Sequence, residues 1–323
     1  MQENFHVALV ADNNYAEFVA TTIVSLFKTN RDFDHITIHL LSNGINSETV
    51  DIIHTHILQS EGSLFVYDIS DISERLGVRV PNNISISSYG RLFLPAIIDL
   101  SIDKILYLDC DIIVTDTLYD LYNTNLKDNY IAGVLDTIRN DAKEGIGIQI
   151  SEPYVNAGVL LISLKNWRID NLIEKCVSFL IKNNGFVLHN DQGVINAMCL
   201  GHIYVLHPKY NVTTNYYTHS YKLLKTTLPF YPQKEIEEAK EKPVIIHYTT
   251  GVLNRPWIKN SKHPLVSEFI KIRKQTYWKD HPLYEDNRSF ALKVLSFFFN
   301  NFPHFIYKFI HMIISLIKRV LNT

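Results

Sequence analysis

Lys104-Ile105-Leu106-Tyr107-Leu108-Asp109-Cys110-Asp111-Ile112-Ile113-Val114 is the stretch from which the rest of the chain can be read. A lysine followed by four apolar residues has the character of a strand buried on both faces. The run stops at two carboxylates separated by one residue. Residues two apart on an extended chain point to the same side, so Asp109 and Asp111 can converge on one point. Held together they repel, and a divalent ion relieves that repulsion. All-oxygen ligands suit Mg²⁺ or Mn²⁺, and a nitrogen ligand tilts the choice towards Mn²⁺. Taken alone, such a pair is more often a solvated strand end than a metal site.

Working outward, His6–Ala11 reads as a strand, Tyr15–Lys28 as a helix and Ile36–Ser42 as a strand. Glu48–Ser60 reads as a helix and Ser63–Asp68 as a further strand. Strand–helix alternation of this kind predicts an α/β fold, a Rossmann-like, mostly parallel sheet flanked by helices. Ligands bind beyond the carboxyl ends of such strands, so the useful residues should follow the apolar runs. Tyr130–Leu135, Tyr154–Ser163 and Val244–Tyr248 have strand character, and Tyr89–Ile98, Leu172–Lys182 and Asp191–Cys199 have helical character. The Pro- and Lys-rich stretch Pro256–Pro264 suggests a boundary, with a catalytic domain over 1–260 and a helical region over 261–323.

Composition narrows the function classes. The chain has 323 residues and a formal net charge of −2, with 31 basic residues against 33 acidic ones. That balance offers no global field for nucleic acid, which is not an expected partner. Three cysteines (Cys110, Cys176, Cys199) without CxxC spacing disfavour a disulfide scaffold or a zinc ribbon. The opening MQENFHVALVAD has neither a basic n-region nor a long apolar h-region, so no signal peptide is expected there. The expected location is a reducing cytoplasm.

A second chemistry-bearing segment is Val244-Ile-Ile-His247-Tyr-Thr-Thr-Gly251, followed by Asn254-Arg255-Pro256-Trp257. His247, at a strand end, can supply a nitrogen ligand. Gly251 permits close backbone approach to a phosphate, and Arg255 can neutralise one. Phosphatases of the haloacid-dehalogenase type also place Asp-x-Asp after an apolar strand. They usually do so near the N-terminus, with Thr or Val two positions after the second Asp, where this chain has Ile113.

With Ala11-Asp12-Asn13-Asn14-Tyr15, Ser87-Ser88-Tyr89-Gly90-Arg91-Leu92, Leu106–Asp111, Asn156-Ala157-Gly158-Val159-Leu160-Leu161, Asn190-Asp191-Gln192-Gly193 and the HYTTG…RPW segment in this order, the chain resembles the retaining glycosyltransferases of family 8. That family includes bacterial lipopolysaccharide galactosyl- and glucosyltransferases and the glycogenins. The resemblance spans Val7–Trp257, about three-quarters of the chain. It implies a GT-A fold, a UDP-sugar donor, a glycan or glycolipid acceptor, and Mn²⁺, with Mg²⁺ as the alternative. By position it implies that Val10, Asp12 and Asn14 hold the uridine. Asp109, Asp111 and His247 would ligand the metal, with Cys110 between the two carboxylates in the donor site. Gly251 and Arg255 would meet the phosphates. Arg91, Asp136, Asn156, Ala157, Asp191 and Gln192 would surround the donor sugar, with Arg91, Asp136, Asp191 and Gln192 carrying the catalysis. Many relatives have Lys where Arg255 stands, and here the segment is one residue longer before Arg-Pro-Trp, which loosens the assignments of Gly251 and Arg255.

These roles suit the chemistry of glycosyl transfer. The diphosphate leaving group develops negative charge that a metal and Arg255 would stabilise, and the oxocarbenium-like carbon would be stabilised by carboxylates such as Asp191. An amide is a poor nucleophile, so Gln192 points towards front-side attack with retention. The enzyme alternatives are nucleotide-sugar hydrolysis or phosphatase chemistry, and the non-enzyme alternative is a silent glycan-binding or membrane-scaffold protein.

Simpler roles are open to several of these residues. Asp12 with Asn14, and also Asp191, suit helix N-caps. Arg91 suits a structural ion pair, Asn156 a turn and Asp136 a plain strand end, while Tyr216 and Tyr217 are expected to pack against the domain. The sequons at Asn83 and Asn211 are expected to be coincidental. After Asp286 no acidic residue follows, and the tail from Phe290 is rich in Phe, Ile and Leu. Beyond Pro303, Lys308, His311, Ser315 and Lys318-Arg319 recur at helical spacing. A basic, apolar-backed helix beyond that proline would suit attachment of the region 290–323 to the surface of an anionic membrane, here the cytoplasmic face of the inner membrane, or packing on the catalytic domain or in a dimer interface, whereas Pro303 and Lys308 argue against a spanning helix.

Overall fold

The computed structural model describes residues 4–79 and 86–303, with 306, 307, 309, 310 and 313 beyond them. The N-terminal half opens with β1 (Asn4–Asp12), α1 (Ala16–Thr29), β2 (His35–Asn43), α2 (Ser47–Leu58) and β3 (Ser63–Asp68). β4 (Lys104–Leu108), β5 (Ile112–Val114), β6 (Ile131–Leu135), β7 (Val155–Ser163), β8 (Ile203–Val205), β9 (Val212–Thr213) and β10 (Ile245–His247) follow. Among the described residues, seven strands form one sheet in the order β3-β2-β1-β4-β7-β6-β8. β1 runs parallel to β2 and β4, β2 to β3, and β6 to β8, while β7 is antiparallel to β4 and β6. The α/β reading is therefore right, and the sheet is mostly parallel with one reversed strand. Ile105–Leu108 is fully buried, as an apolar run at the centre of such a sheet should be.

A second sheet decides where the chemistry sits. β10 pairs antiparallel with β5 and parallel with β9, which sets His247 opposite both Ile112 and Thr213. His247 thereby arrives one residue from Asp111, although 136 positions separate the two in the chain. α1 braces the turn between β4 and β5. Thr22 Oγ1 lies 2.9 Å from the carbonyls of both Cys110 and Ile112, and the Val114 N–H donates to Ser25 Oγ at 3.0 Å. Each such buried bond contributes about 1 kcal/mol net.

The expected helix over Tyr89–Ile98 is a 3₁₀ run, Ile86–Phe93, followed by one α-turn, Leu94–Ile97. Pro95 has no N–H to donate to Arg91, so a continuous α-helix cannot pass through it. Gly90 packs beneath β1, where a Cβ would stand 2.8 Å from Ile69 Cδ1. The core continues past residue 260: Trp257, Phe269 and Ile272 belong to the same buried cluster as the sheet, and Arg273 forms a buried ion pair with Glu17 on α1.

Ser289 caps a helix over Phe290–Asn301, which stops just before Pro303. This helix buries Leu295 but leaves Phe290 81% and Phe297 56% exposed. Lys308, His311, Ser315, Lys318 and Arg319 lie outside the described residues, as does the Asn83 sequon. Among the described residues no helix is long and apolar enough to cross a membrane.

Candidate active site

Asp109, Asp111 and His247 meet at the carboxyl end of β4, their ligand atoms all within 4.8 Å of one another. His247 Nε2 is 3.1 Å from Asp111 Oδ1 and 3.8 Å from Asp109 Oδ2. Its Nδ1 lies 2.9 Å from the Asn211 side-chain oxygen, a contact that leaves Nε2 directed at the carboxylates. Burial alone would lower the His247 pKa, but the Asp111 carboxylate raises it above the ordinary value. Burial would raise the Asp111 pKa, yet His247 and Arg255 bring it down to about 2.

Two guanidinium groups brace this cluster. Arg255 Nη2 donates to Asp111 Oδ2 at 2.9 Å, its Nε donates to the Tyr248 carbonyl at 3.1 Å, and the group stacks over Trp257. Arg91 is buried; its Nη2 donates to Asp109 Oδ1 at 2.9 Å, its Nε donates to the Ser88 carbonyl at 3.0 Å, and the same Nε forms an ion pair with Asp191 Oδ2 at 3.0 Å. Tyr107 packs beneath Arg91 and donates its own hydroxyl to Asp109 Oδ1 at 2.7 Å. Burial raises the Asp191 pKa, and the Arg91 charge opposes that rise. Asp191 does not cap its helix as the sequence suggested. The helix Asn190–Met198 begins after His189, and the Asp191 carboxylate is committed to Arg91.

Asp136, Asn156, Ala157 and Gln192 form an adjoining network. Gln192 donates to Asp136 Oδ2 at 2.9 Å and accepts from the Ala157 N–H at 3.0 Å. Asn156 donates to the same Asp136 oxygen at 3.1 Å and accepts from Asn211 at 2.9 Å. Arg91 Nη1 closes the circuit on the Ala157 carbonyl. Asn156 and Asp136 are thus neither a plain turn nor a plain strand end. These groups line a cavity of about 680 Å³ together with Asp109, Asp191 and Arg255.

Val10, Asp12 and Asn14 stand apart from that cavity at the end of β1. Val10 reaches the cluster through its carbonyl, which accepts from Cys110 Sγ at 3.3 Å. Asp12 does cap the turn Asn13–Tyr15, accepting from the Asn14 N–H at 2.9 Å. A Cβ at Gly251 would meet nothing within 4 Å, so the protein's own packing does not require glycine there. Tyr216 is buried, as expected for a packing residue.

Sequence reasoning passed over Gly158, Asn211 and Tyr107 as site residues. A Cβ on Gly158 would collide with the His247 imidazole and approach Asp109 Oδ2 to 2.8 Å, so the triad can form only around glycine. Gly158 was legible as part of Asn-Ala-Gly, whereas Asn211 was visible only as a sequon. It is fully buried and hydrogen-bonds both Asn156 and His247.

The donor set fits a hard or borderline divalent ion. The carboxylates Asp109, Asp111, Asp136 and Asp191 outnumber the guanidinium groups Arg91 and Arg255, a surplus that favours an added cation. A larger groove, of about 1340 Å³, is lined by His6, His39, Tyr67 and Lys104, and it contains none of these groups. The smaller cavity is the better candidate because it lies beyond the carboxyl ends of the strands, where such sheets bind ligands.

Comparison with known proteins gives the same reading. A model of the family described as glycosyl transferase family 8 matches residues 6–261. General stress protein A of Bacillus subtilis is 27% identical over 282 residues, covering 85% of this chain and 95% of that protein. The lipopolysaccharide 1,2-glucosyltransferase of Escherichia coli K12 is 26% identical over 284 residues, covering 86% of this chain and 80% of that protein. The galactosyltransferase LgtC, solved in complex with donor and acceptor sugar analogs, superposes with a TM-score of 0.70 at 25% identity, over 85% of this chain and 96% of LgtC. The chain therefore belongs to glycosyl transferase family 8: it is a glycosyltransferase with the GT-A fold.

Proposed function

We propose that this enzyme is a metal-dependent, retaining hexosyltransferase. It moves galactose or glucose from a UDP-sugar to a hydroxyl of a glycan or glycolipid, in the synthesis of lipopolysaccharide or another cell-surface glycan. The observation that carries this reading is the convergence of Asp109, Asp111 and His247 at the edge of the cavity that Asp109 lines together with the Asp136–Asn156–Gln192 network.

Asp109, Asp111 and His247 hold Mn²⁺, or Mg²⁺ in its place, and the bound ion supplies electrostatic stabilisation to the departing diphosphate. Arg255, already fixed beside Asp111 and Trp257, adds a donor to the phosphates, and Gly251 lets the backbone come close to them. Val10, Asp12 and Asn14 seat the uridine at the end of β1, next to Cys110. Arg91, Asp136, Asn156, Ala157, Asp191 and Gln192 surround the sugar and orient its hydroxyls. Their existing bonds to one another hold them in place before the substrate arrives, which lowers the reorganisation cost at the transition state.

The acceptor oxygen attacks the anomeric carbon on the face from which the diphosphate leaves. The bond from that carbon to the phosphate oxygen breaks, and the acceptor proton passes to the leaving phosphate. The Gln192 amide, bonded to Asp136 and Ala157, orients rather than attacks. Asp191, ion-paired to Arg91, supplies negative charge beside the oxocarbenium-like carbon.

The tail over 290–323 attaches the enzyme peripherally to an anionic membrane at the cytoplasmic face, and the exposed Phe290 and Phe297 support this. The test is NMR detection of the sugar released from UDP-galactose and UDP-glucose with and without Mn²⁺. A metal-dependent release of UDP with an α-configured first product supports the reading. Metal-independent release of inorganic phosphate would instead favour a phosphatase.

A further inference from the structure

The segment Gly251–Arg255 is held from outside by residues that lead into the tail helix. Arg288 Nη1 donates to the Val252 carbonyl at 2.9 Å and lies 3.4 Å from that of Gly251. The same guanidinium grips both oxygens of Asp286, with Nε to Oδ1 and Nη2 to Oδ2 each at 3.0 Å. Asp286 Oδ2 in turn accepts from the Asn254 side chain at 3.2 Å. One arginine therefore fixes two successive peptide planes of the loop, and its carboxylate partner fixes a third residue of it.

Adjacent residues of the same segment add to this grip. The Tyr284 N–H donates to the Trp257 carbonyl at 2.9 Å, and the Lys259 N–H donates to the Tyr284 carbonyl at 2.8 Å. Lys259 also pairs with Glu285, and the Tyr284 hydroxyl donates to Glu17 on α1 at 3.0 Å. Residues 284–288 are thus zipped onto 251–259 and anchored to the main core. Arg288 and Asp286 are only 20% and 24% exposed, so their pair is shielded compared with an ordinary surface bridge.

We propose that Arg288, oriented by Asp286, is a positioning residue for donor binding, shaping the loop that carries Gly251 and Arg255. This rests on the reading above that the loop meets the donor diphosphate. Neither residue lines the cavity, so both act through the loop rather than by touching the sugar nucleotide. Ser289, the next residue, caps the tail helix, so the grip also ties the start of that helix to the donor loop.

The experiment uses the full chain with Mn²⁺, measuring UDP binding by calorimetry and the donor KM and kcat by UDP release. Arg288→Ala should weaken UDP binding and raise the donor KM about tenfold while changing kcat less than about twofold. Arg288→Lys, which keeps the charge but not the fork, should recover part of that loss. Asp286→Asn gives a smaller change in the same direction and serves as a second variant should Arg288→Ala not fold. A purely structural role would lower kcat through loss of active protein and leave KM unchanged, and that result overturns the proposal. Arg255→Ala separates the two readings. If it weakens UDP binding while Arg288→Ala does not, the loop reading stands and the role of Arg288 falls. If neither variant changes UDP binding, the loop reading falls and the proposal falls with it.

Discussion

Two buried histidines in this molecule have opposite electrostatics. His247 sits among Asp109, Asp111 and Arg255 and has its pKa raised. His39, on β2, lies in the large groove with its Nε2 3.1 Å from His6 Nδ1 and its Nδ1 3.0 Å from the Tyr67 hydroxyl. Burial, with His6 beside it, lowers its pKa to about 4. Both rings are almost inaccessible, at 4% and 2% exposure, so burial does not distinguish them. Their neighbours do. Carboxylates make one end of the sheet a place for a cation, whereas a His–His–Tyr chain satisfies itself without one.

The largest effect should come from removing a carboxylate at the anionic end. Asp109→Ala or Asp111→Asn should abolish measurable Mn²⁺ binding and reduce turnover at least about 1,000-fold, the scale of a lost electrostatic contribution of several kcal/mol. Manganese paramagnetic resonance reports the first quantity independently of activity. Near-wild-type metal affinity in either variant would break the contrast between the two ends. Next comes Gly158→Ala, whose methyl group would push His247 away from Asp109. It should cost about 30-fold or more in metal affinity while a melting curve shows the fold intact. Asn211→Ala leaves the ligands in place but frees the His247 ring, and an outer-shell loss of about 10-fold in affinity is expected.

The histidine of the groove predicts a pH effect instead. His39 carries a depressed pKa when folded, so below about pH 6.5 the unfolded chain takes up a proton that the folded chain refuses. Stability is therefore present above that pH and is lost as pH falls towards about 4, by on the order of 3 kcal/mol for this group. His263, lowered to about 4 by burial, acts in the same direction. Urea midpoints at pH 7 and 4.5 should converge in His39→Gln relative to the wild type. The smallest effect is on activity: His39→Gln should leave turnover at pH 7 within about twofold.

What the sequence disclosed divides along the same line. Asp109, Asp111, His247, Arg91, Asp136 and Gln192 were legible because they stand next to apolar strands or in ordered motifs, and the structure brings them together. The alternation of strands and helices through Ser63–Asp68 was equally plain. The antiparallel pairing of β5 with β10 was not, since nothing in Ile112–Val114 or Ile245–His247 names its partner. Asn211 stayed hidden for the same reason: its role exists only once β9 lies beside β10. The Tyr89–Ile98 helix misled because apolar spacing outweighed Pro95. The capping role suggested for Asp191 failed because Arg91, a hundred residues earlier, supplies a stronger partner.

The most direct test of the central claim is UDP release from UDP-galactose and UDP-glucose by the purified full-length enzyme, followed with and without Mn²⁺ and again after Asp111→Asn. The account predicts release that requires the metal, is strongly stimulated by a suitable glycan hydroxyl and disappears in the variant. Release that persists without metal and survives Asp111→Asn would contradict it.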